Sequence, residues 1–234
     1  MGCFNGQIKV YTPEDLSNDF KTAVGDVLNE VRGGGYMTWK PYIIADMLSK
    51  LNDNDILLYA DAGCTLNPAG IPRLKEYGEL ISPKSNKGVL AMRLVDGTLY
   101  GPGGFLEKKW TATPVFEYFK ESIDGPTANS NQILSGFVMC RKCPESAEVI
   151  GKWLEVAKTR PDLFTDRYNE VSKKSNKDYT ENRHDQSILS MIVKSEQYGK
   201  NCIIIDEEIE GMHGTPTSER VKKINPVYAS RIKV

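Results

Sequence analysis

A chain of 234 residues with 40% hydrophobic and 26% charged residues is long enough to bury one substantial core and short for two, so a single domain is expected. Its 30 Lys and Arg nearly cancel its 31 Asp and Glu, which argues against a nucleic-acid or membrane-surface partner, because both select a basic excess. No signal peptide is recognisable and no apolar run approaches the roughly 20 residues that span a bilayer, so a cytoplasmic chain without a transmembrane segment is expected.

The first strand candidate, Gln7 to Tyr11, is short. Thr12-Pro13-Glu14-Asp15 then has the form of a helix start, with Thr12 as cap and Pro13 at the first position. Leu16, Phe20, Val24, Val27, Leu28 and Val31 follow at helical spacing, and Gly33-Gly34-Gly35 ends the helix. A second helix begins near Pro41, carries Ile43, Ile44, Met47, Leu48 and Leu51 on one face, and stops at Asn52-Asp53-Asn54-Asp55.

Ile56-Leu57-Leu58-Tyr59-Ala60 is an unbroken apolar run of strand length, as expected of a strand covered on both faces in a parallel sheet. Further strands are expected at Val89 to Met92 and Ile133 to Cys140, and a helix from about Ser146 that includes Val149, Ile150, Trp153, Leu154 and Ala157. The polar stretch Asp162 to Glu181 has the composition of a loop or lid. Asp185 to about Ser195 repeats the amphipathic pattern, Cys202 to Ile205 gives a last strand, and the polar tail is expected to lie across the surface. Strands alternating with helices indicate an α/β fold. The five cysteines are scattered and odd in number, and the single CxxC at Cys140 and Cys143 has no second pair, so ordinary reduced thiols are expected.

Four places carry candidate chemistry. Asp61 stands at the carboxyl end of an expected central strand, where open α/β sheets bind ligands. A hard divalent cation bridging two phosphates needs carboxylate oxygen at such a point; equally, an Asp before Gly63 suits a simple turn. The two histidines lie in polar, turn-flanked contexts. His184 is either a site residue or an ordinary helix N-terminal residue beside Asp185, and His213 is either a solvent-loop residue or a metal ligand. Around Gly33-Gly34-Gly35-Tyr36, followed by Trp39-Lys40-Pro41, glycines permit close backbone approach, aromatics can stack on a base or sugar, and a lysine can neutralise phosphate. The same residues also suit a helix end and its packing.

The order of Gly35-Tyr36-Met37-Thr38-Trp39-Lys40-Pro41, Asp55 to Gly63, Ser135-Gly136-Phe137-Val138 and Arg183-His184-Asp185-Gln186-Ser187 resembles the GT-A glycosyltransferases, especially short bacterial and viral enzymes of surface polysaccharides. The resemblance implies one Rossmann-like α/β domain with a mostly parallel central sheet flanked by helices. Residues 7–140 would form the nucleotide-sugar part and 141–234 the acceptor side and tail. In that family an acidic DxD-like motif binds the donor ribose and a manganese or magnesium ion. Here Tyr59-Ala60-Asp61-Ala62-Gly63 takes its place with one acid missing in either register. The implied metal ligands are Asp61 and His213, and the implied reaction centre is Asp185 with Gln186. Tyr36, Trp39, Lys40, Tyr59, Ala60, Asp61, Gln132, Ser135, Gly136, Arg183 and His184 would line the donor. Lys40 would face the diphosphate or stabilise the carboxylates, with Arg183 as the alternative phosphate partner. The implied partners are a nucleotide-sugar donor and a glycan or glycoprotein acceptor. Two rivals are a non-catalytic nucleotide-sugar or glycan-binding domain with a degenerate metal site and, more remotely, a phosphoester hydrolase using Asp61, Asp185 and His213.

Overall fold

A computed structural model describes residues 8–96, 103–209 and 223–230; His213 falls outside them. Ile8 to Tyr11 form no strand, and the first expected helix is divided. Ser17 caps α1 (Asn18–Val24) by accepting from the Phe20 amide, and Gly25 at φ 62° ends it before a short 3-10 stretch to Asn29. Helix α2 (Lys40–Ser49) starts with Lys40 and Pro41 in its first turn, and strand β1 (Ile56–Ala60) follows. Strand β2 (Cys64–Leu66) and helix α3 (Ile71–Leu80) come next, then β3 (Val89–Arg93). Helix α4 (Thr113–Phe119) precedes β4 (Ile133–Arg141) and the long α5 (Pro144–Thr159).

The stretch expected as a loop after Asp162 is instead largely helical, with α6 (Asn169–Ser175) and two short 3-10 turns. Its polar residues act as caps and docking groups. Thr165 accepts from the Arg167 amide, and Asn182 donates to the carbonyls of Leu163 and Thr165. Helix α7 (Asp185–Lys194), β5 (Cys202–Asp206) and β6 (Val227–Ala229) follow, and short helical turns, one of them Glu107–Trp110, lie between the longer elements.

The main sheet runs β1-β4-β3-β5. The expectation of a mostly parallel sheet is corrected here: β4 is antiparallel to both β1 and β3, and β3 with β5 makes the parallel pair. An apolar run reports burial on both faces, which β1 and β4 have whichever way their neighbours point. One face of the sheet is covered by α1, α2, α5 and α7, with Phe20, Ile44, Trp153 and Ile188 in the core. The other is covered by α3 and the β2-β6 pair, with Tyr77, Phe137 and Val227. Each large apolar side chain so buried contributes about 1.5–3 kcal/mol. The tail is therefore not wholly superficial, since Val227 is fully buried.

Strand β4 is irregular where it matters. Between the pairs Leu90–Met139 and Met92–Leu134, β3 advances two residues and β4 five. Ile133 and Val138 consequently join the same core layer, although their odd separation would put them on opposite faces of a regular strand. The irregularity holds Ser135 and Gly136, and the pairing with β1 starts just beyond it at Ala60–Phe137.

Candidate functional site

Three distant parts of the sequence meet at this irregularity. Lys40 enters from the first turn of α2, Asp61 from the end of β1 and Asp185 from the first turn of α7. The Lys40 ammonium lies 2.6 Å from Asp185 Oδ2 and 3.2 Å from Asp61 Oδ1. It also lies 3.4 Å from Ser135 Oγ and 3.5 Å from the Ser135 carbonyl. Burial alone would push the lysine towards its neutral form, but Asp185 and then Asp61 outweigh that and raise its pKa. One ammonium between two carboxylates leaves one formal negative charge on the cluster.

The members differ sharply in access. Lys40 and Asp185 have side chains only 2% exposed, whereas that of Asp61 is 46% exposed. Asp61 Oδ1 accepts the Tyr59 hydroxyl at 2.6 Å, and the Asp61 amide donates to the Gly136 carbonyl. Burial, then the Asp61 charge, raises the Tyr59 pKa, so the phenol stays protonated. Oδ2 accepts no hydrogen bond among the described residues and faces Gly136, where an added Cβ would stand 3.1 Å away.

Lys40 is therefore held by ion pairs to the two acids and by hydrogen bonds to Ser135, and with its side chain 2% exposed it does not face a diphosphate. Arg183 is differently placed. Its guanidinium stacks 4.0 Å from the Trp110 ring, its Nε has no partner, and no acid pairs with it among the described residues. Tyr36 packs on the His184 ring at 4.9 Å. His184 donates from Nδ1 to the Phe164 carbonyl at 2.7 Å, and its buried Nε2 has no hydrogen-bond partner among the described residues. Trp39 donates to the Gly33 carbonyl, so it braces the glycine turn. Ala60 pairs with Phe137 in the ladder.

Gln132 is fully buried and both ends of its amide are engaged, so it offers nothing to a sugar hydroxyl. Gln186 spans from Gln132 Oε1, at 2.7 Å, to the Ser135 amide, at 3.4 Å. Sequence reasoning missed Glu107, Ser190 and Lys194, which support this arrangement from below. The legible signal was the polar spacing Gln186, Ser190, Lys194 along one face of α7.

The backbone that delivers Lys40 is left-handed at five consecutive residues: Gly33, Gly34, Gly35, Tyr36 and Met37 have φ between 54° and 90°. Glycine adopts this region freely, whereas Tyr36 and Met37 each carry a penalty of about 1–2 kcal/mol. Arg32, just before the turn, is bonded to both Asp166 and Glu181. That pairing ties the turn to the segment leading into Asp185.

Among the described residues no three His, Cys, Asp or Glu side chains are grouped to hold a metal ion. A protein-built cage is therefore a poor fit. Asp61 Oδ2, on a side chain 46% exposed and without a hydrogen bond among the described residues, would suit a magnesium or manganese ion that keeps most of its waters and meets a diphosphate. No helix among the described residues is long and apolar enough to cross a membrane. The four described cysteines, Cys64, Cys140, Cys143 and Cys202, are free thiols.

No protein-family model and no curated protein matches the sequence. Among solved structures, the chain is similar to apo mouse xyloside xylosyltransferase 1, with a TM-score of 0.44 and 12% identity over 90% of this chain and 71% of that one. So loose a likeness leaves the weight on the chemistry of the Lys40 cluster.

Proposed function

We propose that the chain is a glycosyltransferase that moves a sugar from a nucleotide-sugar donor to a glycan or glycoprotein hydroxyl. The observation that carries this is the convergence of Lys40, Asp61 and Asp185 beside Ser135 and Gly136 at the carboxyl end of β1. A phosphoester hydrolase that relies on protein-held metal would need more ligands than these.

In the transfer, the acceptor oxygen bonds to the anomeric carbon as the bond from that carbon to the diphosphate oxygen breaks. The hydroxyl proton passes to a carboxylate of the cluster or to the departing diphosphate, and the nucleoside diphosphate leaves. Asp61, the exposed acid, meets the donor, and Oδ2 would hold a divalent ion there. Such an ion supplies Lewis-acid neutralisation of the departing diphosphate. Arg183, fixed by stacking and without an acidic partner among the described residues, is the protein cation suited to the phosphates. Gly136 leaves room for the sugar next to the carboxylates, and Asp185 is the acid at the reaction centre, held in place by Lys40.

The near-complete burial of Asp185 favours one second reading, a binding domain without turnover. Incubation with a panel of nucleotide-sugars, with and without manganese, separates the two. Release of nucleoside diphosphate supports the enzyme; binding by calorimetry without release supports the binding domain. Neither binding nor release for any donor in the panel removes both.

A further inference from the structure

A second buried charge pair stands beneath the site and is unused by the transfer just described. Glu107 is fully buried; its Oε2 accepts from Lys194 Nζ and from Ser190 Oγ, each at 2.5 Å. Its Oε1 accepts from Gln132 Nε2 at 3.0 Å and from the Thr111 hydroxyl. A buried ion pair is seldom a net source of stability compared with apolar packing, so what it orients is the more informative question.

A carboxylate only accepts, as does the Trp110 carbonyl 3.2 Å from the same nitrogen, so Gln132 must turn its NH2 towards Glu107 and Trp110 and its carbonyl away. That carbonyl accepts from Gln186 Nε2 at 2.7 Å, which turns the Gln186 carbonyl to the Ser135 amide at 3.4 Å. Ser190, one helical turn after Gln186, accepts from the Ile133 amide at 2.9 Å while donating to Glu107. The amides of Ile133 and Ser135, on the part of β4 that β1 does not reach, are thus met by side chains of α7. Gln186, Ser190 and Lys194 share one helical face, and Glu107 orders all three.

We infer that Glu107 is a positioning residue: its charge fixes the direction of two successive glutamine amides and so holds the first turn of α7, and with it Asp185, against the irregularity of β4. Its effect on turnover rests on the glycosyltransferase proposal, but its effect on the β4 amides does not.

The test compares wild type with Glu107→Gln/Lys194→Met, which removes both buried charges together. Gln132→Met is the second variant and cuts the relay without changing any charge. Amide hydrogen exchange by NMR is read at Ser135, with Val138 in the same strand as the internal control, alongside kcat and donor KM. Ser135 protection is expected to fall at least about tenfold relative to Val138, kcat to fall about tenfold, and donor KM to stay within about twofold, as misplacement of a reacting group dictates. If the charge-free double variant does not fold, Gln132→Met decides by the same readings. Unchanged Ser135 protection and unchanged kcat in a folded variant overturn the inference. If wild type turns over no donor, the glycosyltransferase proposal fails, while Ser135 exchange still decides whether Glu107 directs the relay.

Discussion

The Lys40 ammonium and the Asp185 carboxylate meet at 2.6 Å with both side chains 2% exposed, the least accessible ion pair to touch the candidate site. Removing one partner of such a pair strands the other charge in a medium that solvates it poorly. Lys40→Met is therefore expected to cost about 3–5 kcal/mol, whereas Lys40→Met/Asp185→Leu should recover most of the loss. Urea unfolding of both variants measures this. A single variant that loses less than about 1 kcal/mol would show that Asp185 does not depend on Lys40.

Asp61 belongs to the same cluster but answers to function more than to stability, because its side chain is 46% exposed. Asp61→Asn keeps the shape and an oxygen facing the Tyr59 hydroxyl, so its unfolding free energy from urea titration should change by no more than about 1 kcal/mol. Donor affinity measured by calorimetry should lose its dependence on manganese, and turnover should fall about a hundredfold, the scale on which one group aimed at developing charge acts. Equal manganese dependence in wild type and Asp61→Asn would exclude Asp61 Oδ2 as the cation's ligand.

Much of this arrangement is legible in the chain. Local pattern reports local structure: β1 occupies Ile56–Ala60 as its apolar run predicts, and α7 begins at Asp185 where its polar-to-apolar switch lies. Strand direction is not legible, because burial on both faces gives β4 the same composition whether its neighbours run with it or against it. The helices after Asp162 were hidden for a related reason. Asn169, Asn182 and Thr165 have loop-forming preferences, yet here they spend their hydrogen bonds on caps and on docking the segment that leads into Asp185. Lys40 with Asp185 was legible as two motifs but not as a contact, since nothing local to residue 40 signals residue 185. Glu107 was the least visible, because a lone acid between a leucine and two lysines resembles any solvated charge.

The glycine turn makes a position-by-position prediction. At Gly35, with φ 90°, an added Cβ would stand 2.8 Å from Leu28 Cα and 2.9 Å from the Val27 carbonyl oxygen. At Gly34, with φ 55°, the nearest atom is Trp39 Nε1 at 3.7 Å. Gly34→Ala should therefore cost only the left-handed penalty, about 1–2 kcal/mol, while Gly35→Ala adds a clash with backbone that cannot swing aside. Thermal unfolding of the two variants should rank them in that order. Since the turn delivers Lys40, Gly35→Ala should also weaken donor binding, and equal costs at the two positions would show that Gly35 does not lie against the backbone of Val27 and Leu28.

His184 makes stability depend on pH in a direction that can be worked out beforehand. Burial is the largest influence on its ring and holds its pKa below the ordinary 6.5; the nearby Arg32 acts the same way, while the Phe164 carbonyl, Asp166 and Asp185 oppose it. Between the folded and unfolded pKa values the unfolded chain binds more protons, so stability rises with pH there. The contribution is complete above about 6.5 and is lost progressively as pH falls through the lower folded pKa. His184→Asn removes the titration, keeps an N–H donor for the Phe164 carbonyl, and places at φ 56° a residue that tolerates positive φ better than most. Urea midpoints at several pH values from about 7.5 to about 5 should fall more steeply for wild type than for the asparagine variant. Parallel slopes would mean that the ring accepts its proton without penalty, and so that its Nε2 reaches water or a partner in solution.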